Sequence, residues 1–193
     1  MKKTLDALRA AIEVPPGDVK LASVVPVFVP DSLATPQWPG PVLPMQVPGL
    51  AVTWAALMPG QTMLYVTHDM AARWSRRKGD WRTATMENLT SLTRELSTHS
   101  FTRKDGTYYG LVMLHEDGVG PSRLLLEVWL EEVFPEGYSC AIPERSCAIV
   151  LSDGASKKER SDVEKAARTC YRDGASPMLE GFFRPEALRP RDD

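Results

Sequence analysis

The spacing of apolar residues along this chain alternates between a helical period of about 3.6 and a strand period of about 2, and each switch predicts a change of element. Leu5, Leu8, Ala11 and Ile12 recur at helical spacing, and Pro15-Pro16-Gly17 then ends the pattern because proline lacks the backbone donor. A short amphipathic helix is expected there. Periodicity is lost between Pro30 and Gly49, where Pro30, Pro36, Pro39, Pro41, Pro44 and Pro48 favour extended, polyproline-like backbone over helix or central strand. That segment reads as a surface connection, with a ligand for a proline-binding domain as the alternative.

The run LAVTWAALMPGQTMLYVT has two β-rich stretches about Met58-Pro59-Gly60-Gln61 and predicts a hairpin over 51–67. Thr67 then suits the cap of a helix with Asp69 in its first turn and Arg76 and Arg77 in its last, which matches the helix dipole. Asp80 is expected to cap a second helix reaching Leu96, with an inner stripe of Thr85, Asn88, Leu89, Leu92 and Leu96. HSFTRKDGTYYGLVMLHEDG has the form strand, Asp-Gly turn, strand.

Ser122 is expected to cap the most apolar helix, RLLLEVWLEEVF. Leu125, Val128, Trp129 and Val133 fall together on it, with Leu126 and Leu130 beside them, and this helix would form the main layer of the core. SCAIPERSCAI predicts a further hairpin. With Ile142 opposite Cys147 and Cys140 opposite Ile149, one face would carry Cys140, Ile142, Cys147, Ile149 and Leu151. Ser156 and Glu159 form a capping box for a last helix, whose face holds Val163, Ala166, Ala167, Cys170 and Tyr171 and which Gly174 stops.

Hairpins alternating with helices, without regular strand-helix-strand units, predict an α+β fold of antiparallel hairpins packed against several helices. The expected organisation is an N-terminal helix and proline-rich arm at 1–49, one domain at 50–184 and a polar tail at 185–193. With 23 basic against 25 acidic residues in 193, the net charge of -2 offers no general attraction to nucleic acid or to an anionic membrane surface. Asp6, Arg9 and Glu13 interrupt any signal-like apolar run at the start, and three cysteines make a sparse, odd set, so a cytoplasmic protein with reduced thiols is expected.

Candidate chemistry is thin. Cys140 and Cys147 have neither disulfide nor zinc spacing, and Cys170 falls on an apolar stripe, so all three read as core residues. His68, His99 and His115 each fall near an element boundary, where they would converge with Asp69, Glu116 or Asp117 in a metal-assisted hydrolase. No HExxH motif, nucleophile elbow or phosphate loop occurs, and no cofactor is expected. The remaining binding candidates are Asn88, an amide on an inner stripe; Arg145, at a hairpin tip; and the large apolar Trp38 and Trp54.

Several short motifs appear in a fixed order: Thr67 with Trp74, Asn88-Leu89, SRLLLEV at 122–128, FPEGY at 134–138, AIPER at 141–145, Ser152-Asp153 and Tyr171-Arg172. In that order they resemble the YtpQ-like bacterial family, a domain of unknown function, over about residues 50–184. The resemblance implies an α+β fold and carries no catalytic residues. The proline-rich arm and the tail depart from the family pattern. The leading functional expectation is a non-catalytic interaction or adaptor module that binds another protein. The alternatives are the histidine-based hydrolase and an immunity-type inhibitor that presents Glu127, Glu131, Glu132 and Glu136 to a partner enzyme.

Overall fold

Apolar residues interrupted only by the β-branched Thr53 run from Leu50 to Met58, and this stretch forms the longest strand among the described residues. The computed structural model describes residues 19–58, 62–93, 99–114 and 117–191. The expected first helix, Leu96, His115 and Glu116 lie outside them. The first sheet contains β1 (Val24–Pro30), β2 (Val42–Pro44), β3 (Leu50–Met58) and β4 (Thr62–Tyr65). β1 lies antiparallel along one side of β3, from Val24 opposite Ala56 to Pro30 opposite Leu50, while β2 and β4 share the other side.

The second sheet has the order β5 (His99–Thr102), β6 (Tyr108–Leu114), β8 (Cys147–Ser152), β7 (Tyr138–Glu144), again antiparallel. With helices α1 (His68–Lys78), α2 (Trp81–Thr93), α3 (Glu127–Val133) and α4 (Lys157–Asp173), the chain is an α+β protein. Among the described residues no helix is long and apolar enough to cross a membrane.

The caps follow the side-chain chemistry. Thr67 Oγ1 accepts from Met70 N–H, Asp80 accepts from Arg82 N–H and Thr83 Oγ1, and Ser156 with Glu159 forms a complete capping box. Arg103, in the β5–β6 turn, grips the same Glu159 through both carboxylate oxygens at 2.8 and 3.0 Å. Trp54 meets Trp81 edge-on at 5.1 Å and donates its Nε1–H to Thr85 Oγ1 at 3.1 Å, which locks α2 to β3.

Several expectations require correction. The division at residue 50 runs through a sheet, because β1 precedes it and pairs with β3 along its whole length. The proline-rich segment is anchored by buried Trp38 and Met45. The tail at 185–193 is structural as far as Arg191. Phe183 exchanges backbone hydrogen bonds with Cys140 on the β7 edge, and Ala187, Arg189 and Arg191 then bond with Val47, Gln46 and Pro44 beside β2. One C-terminal segment thereby covers an edge of each sheet, a protection against edge-to-edge association.

The single long helix expected from Ser122 is two pieces, a 3-10 turn at Pro121–Leu125 and α3, separated at Leu126 (φ -87°, ψ 61°). Ser122 is buried and caps nothing, and the break rotates the stripe, so Leu124 and Leu130 are buried while Val128 is 72% exposed. Leu92, placed on the inner stripe of α2, is likewise exposed.

The cysteine face is also wrong. Cys140 pairs with Val150 and Ala141 with Ile149, and a register shift between Ala141 and Glu144 then sets Glu144 opposite Cys147. A one-residue slip moves a side chain to the other face of the sheet. Cys140 and Ile142 therefore join the main core with Val24, Val52 and Leu111, whereas Cys147, Ile149 and Leu151 meet Val163 and Ala167 of α4. Pro143, which has no N–H for the ladder, sits inside the shift.

Arg123, on the 3-10 turn, is completely buried, and its Nη2 meets Asp117 Oδ2 at 2.7 Å. Removal of that carboxylate strands a buried cation, so Asp117→Ala is expected to lower the unfolding free energy by about 3 kcal/mol, read from urea denaturation midpoints.

A second expectation concerns acid. Hydrogen bonds from Arg103, and then from Ser156, hold the Glu159 carboxyl down to about 2 from an ordinary 4.5. Its contribution to stability is complete above pH 4.5 and is lost as pH falls toward 2. Glu159→Gln should flatten the fall of melting temperature across that window and lower stability at pH 7.

Candidate functional site

The register shift in β7 produces a tight charged turn, Glu144-Arg145-Ser146, at the end of the second sheet. Glu144 Oε2 accepts from Ser146 N–H at 2.7 Å and from Ser146 Oγ–H at 2.5 Å, so the turn closes on its own carboxylate. Behind it the C-terminal segment holds the backbone, with Arg145 N–H donating to Ser176 O at 3.0 Å. Gly174 is required by close approach, since a Cβ there would stand 2.5 Å from Glu144 Cγ; its φ of -69° is ordinary. Gly120 has the same role on the other side, where a Cβ would meet Met113 O at 2.2 Å and Ser146 O at 2.5 Å.

From this turn Arg145 reaches the first sheet and donates Nη2–H to Tyr65 Oη at 2.6 Å, across 80 residues of sequence. The Tyr65 ring is held edge-on by Trp38 at 4.9 Å. Asp117, which closes its own turn by accepting Val119 N–H at 3.0 Å, completes the rim. Met63, Tyr65, Asp117, Glu144, Arg145 and Ser146 thus line a polar cleft of about 340 Å³ at the seam of the two sheets.

A second concavity opens beside the same turn. Val112, Leu114, Cys147, Ile149, Ala166 and Cys170 line a largely apolar groove of about 720 Å³ between β6, β8 and the C-terminal half of α4, and Leu114 is 50% exposed. Both volumes lie in or near the range typical of ligand sites. Glu144 and Ser146 belong to both walls, so the cleft and the groove adjoin.

No family model, curated protein or solved structure matches this chain.

The candidates read from sequence are dispersed. Asn88 donates both amide hydrogens, to Leu21 O at 2.9 Å and Val24 O at 2.8 Å, and orders the entry to β1. Trp38 and Trp54 are buried, so as contact surfaces they are corrected: large apolar rings in a chain with a real core are packed inside it. His68 begins α1 with its backbone N–H on Pro39 O, while His99 stands opposite Val112 on the outer strand β5. His115 lies outside the described residues, and among these no three His, Cys, Asp or Glu side chains form a group that could hold a metal.

Of the candidates read from sequence, Arg145 and Asp117 line the cleft. Tyr65, Glu144, Ser146 and Leu114 are missed by sequence reading, since no spacing links Tyr65 with Arg145 and a lone leucine at a strand end looks like core. The one available signal was the charge density of Pro-Glu-Arg-Ser between two apolar strands.

Burial raises the thiols Cys140, Cys147 and Cys170 above their ordinary range, which disfavours the reactive thiolate. In the folded protein, iodoacetamide at about pH 8 should label half-buried Cys170 first. Cys140 and Cys147 should react only on unfolding, which peptide mass spectrometry would show.

Proposed function

We propose that this chain is a non-catalytic protein-interaction module whose contact surface is the β7–β8 turn with the two concavities beside it. The observation that carries the proposal is their adjacency: a polar cleft and an apolar groove meet across Glu144 and Ser146. Well-formed interfaces combine an apolar anchor with polar groups that fix orientation. The half-exposed Leu114 supplies apolar surface at the groove, and Arg145 supplies a guanidinium at the cleft.

The free thiols Cys140, Cys147 and Cys170 fit a reducing, cytoplasmic compartment. The YtpQ-like resemblance belongs to the same proposal. Its AIPER motif forms the end of β7 and the turn that carries Arg145.

A second reading has its own support. Val128 is 72% exposed on α3 between Glu127 and the exposed Glu131 and Glu132, an apolar point in an acidic surface of the kind an immunity-type inhibitor would present to a basic enzyme. One experiment separates the two. The wild-type chain and the variants Leu114→Glu and Val128→Lys are used as bait in native lysate, with bound proteins quantified by mass spectrometry. The turn-centred module predicts a protein whose recovery falls about tenfold or more with Leu114→Glu and is unchanged by Val128→Lys. The reverse pattern favours the acidic-surface reading, and a bound set indifferent to both variants rejects both.

A further inference from the structure

We propose that the cleft and groove together bind the C-terminus of a partner polypeptide, with its free carboxylate at Arg145 and Tyr65 and its last apolar side chains in the groove beneath α4. This deepens the interaction-module reading and rests on it.

The direction of one hydrogen bond carries the argument. A guanidinium can only donate, so in the 2.6 Å bond from Arg145 Nη2 the Tyr65 oxygen is the acceptor. The phenolic hydrogen is left to turn toward a third group. Arg145 is exposed and makes no ion pair among the described residues, so it has further N–H donors to offer. Two side chains of different elements with donors to offer, one of them charged, therefore line a common cleft and can serve one oxygen acceptor.

Charge selects the acceptor. Arg123 lies against Asp117, and Arg145 follows Glu144 in the same turn, so among the described residues each acid of the cleft has a basic neighbour. A carboxylate monoanion meets no net repulsion there. A phosphate dianion would stand against Asp117 and Glu144 with only one guanidinium in the cleft to hold it.

The adjoining groove then decides what carries the carboxylate. The groove shares Glu144 and Ser146 with the cleft and is floored beyond them by Val112, Leu114 and Ile149, so a chain held by its terminal carboxylate that crosses the turn brings its preceding side chains into apolar surroundings. On the α4 wall Asp162 and Asp173 are matched by Lys165 and by Arg172, which pairs with Asp173 at 2.7 Å, so that wall sets no charge preference upstream. Capture of a terminal carboxylate combined with apolar side-chain pockets is a known mode of peptide recognition.

The test uses acetyl-Lys-Ala-Ala-X-X pentapeptides, X drawn from Leu, Ile, Val, Met and Phe, as free acids and as C-terminal amides. Retention on the immobilised full chain is read by mass spectrometry, with octanoate as a separate competitor. The acids are expected to be retained about tenfold over the amides. Arg145→Ala should bring that ratio close to one and Tyr65→Phe should lower it, while Leu114→Asp should abolish retention of both forms.

Equal retention of acids and amides, or a ratio unchanged in Arg145→Ala, overturns carboxylate capture; loss of both forms in Leu114→Asp would then leave the interaction module standing. No retention of any peptide at about 1 mM, or occupancy of the groove by octanoate alone, also overturns the proposal. Circular dichroism of each variant separates loss of binding from loss of fold.

Discussion

A guanidinium without solvent contact constrains the centre of this structure. Arg123 is fully buried, and a buried cation is tolerated only if a carboxylate meets it with good geometry. Asp117 must therefore sit at the end of the 117–125 connection with both oxygens turned inward, at 2.7 and 3.3 Å from the guanidinium nitrogens. That requirement shapes the connection as a turn and a tight 3-10 segment where apolar periodicity alone favours one long helix. It also leaves Asp117 at the mouth of the cleft. A buried pair of this kind adds little net stability compared with apolar packing, so its value here lies in defining one geometry at the junction of two sheets.

Local chemistry was legible in the sequence where it acts over a few residues. Thr67, Asp80 and the Ser156–Glu159 box mark helix starts because their side-chain oxygens satisfy donors two or three positions away. The alternation of hairpins and helices likewise shows the α+β class. Non-local pairing was not legible. β1 lies in a proline-bearing stretch that reads as an arm, and only its partner β3 makes it a strand: Pro26 and Pro30 both stand within it. The tail reads as polar because its contribution is made by backbone groups that extend sheet edges, and backbone hydrogen bonds leave no trace in side-chain pattern.

The cysteine hairpin shows how one residue moves a site. With a regular register Cys140 and Cys147 share a face and invite comparison as a thiol pair. The shift around Pro143 sends them to opposite sides of the sheet, one into the main core and one toward α4. It also tightens the following turn. The stretch is therefore notable for what the bulge presents, Glu144, Arg145 and Ser146, and its thiols serve as packing.

Recognition by a surface turn is weak when the turn must be ordered on binding, because fixing each backbone residue costs about 1–2 kcal/mol of conformational entropy. Here that ordering is already complete. Ser146 ties the Glu144 carboxylate from inside the turn, Ser176 O holds Arg145 N–H from behind, Gly120 and Gly174 let neighbouring backbone press against both flanks, and Tyr65 fixes the end of the arginine side chain. The C-terminal segment that supplies Ser176 is the same one that zips along β7 and β2, so the rigidity of the turn is inherited from both sheets. A long cationic side chain at an exposed turn is ordinarily mobile and solvated, and its contacts contribute little. Held at its backbone and at its guanidinium, Arg145 would enter the proposed interaction with part of its freedom already removed, which is the condition under which a single charged anchor can discriminate between ligands.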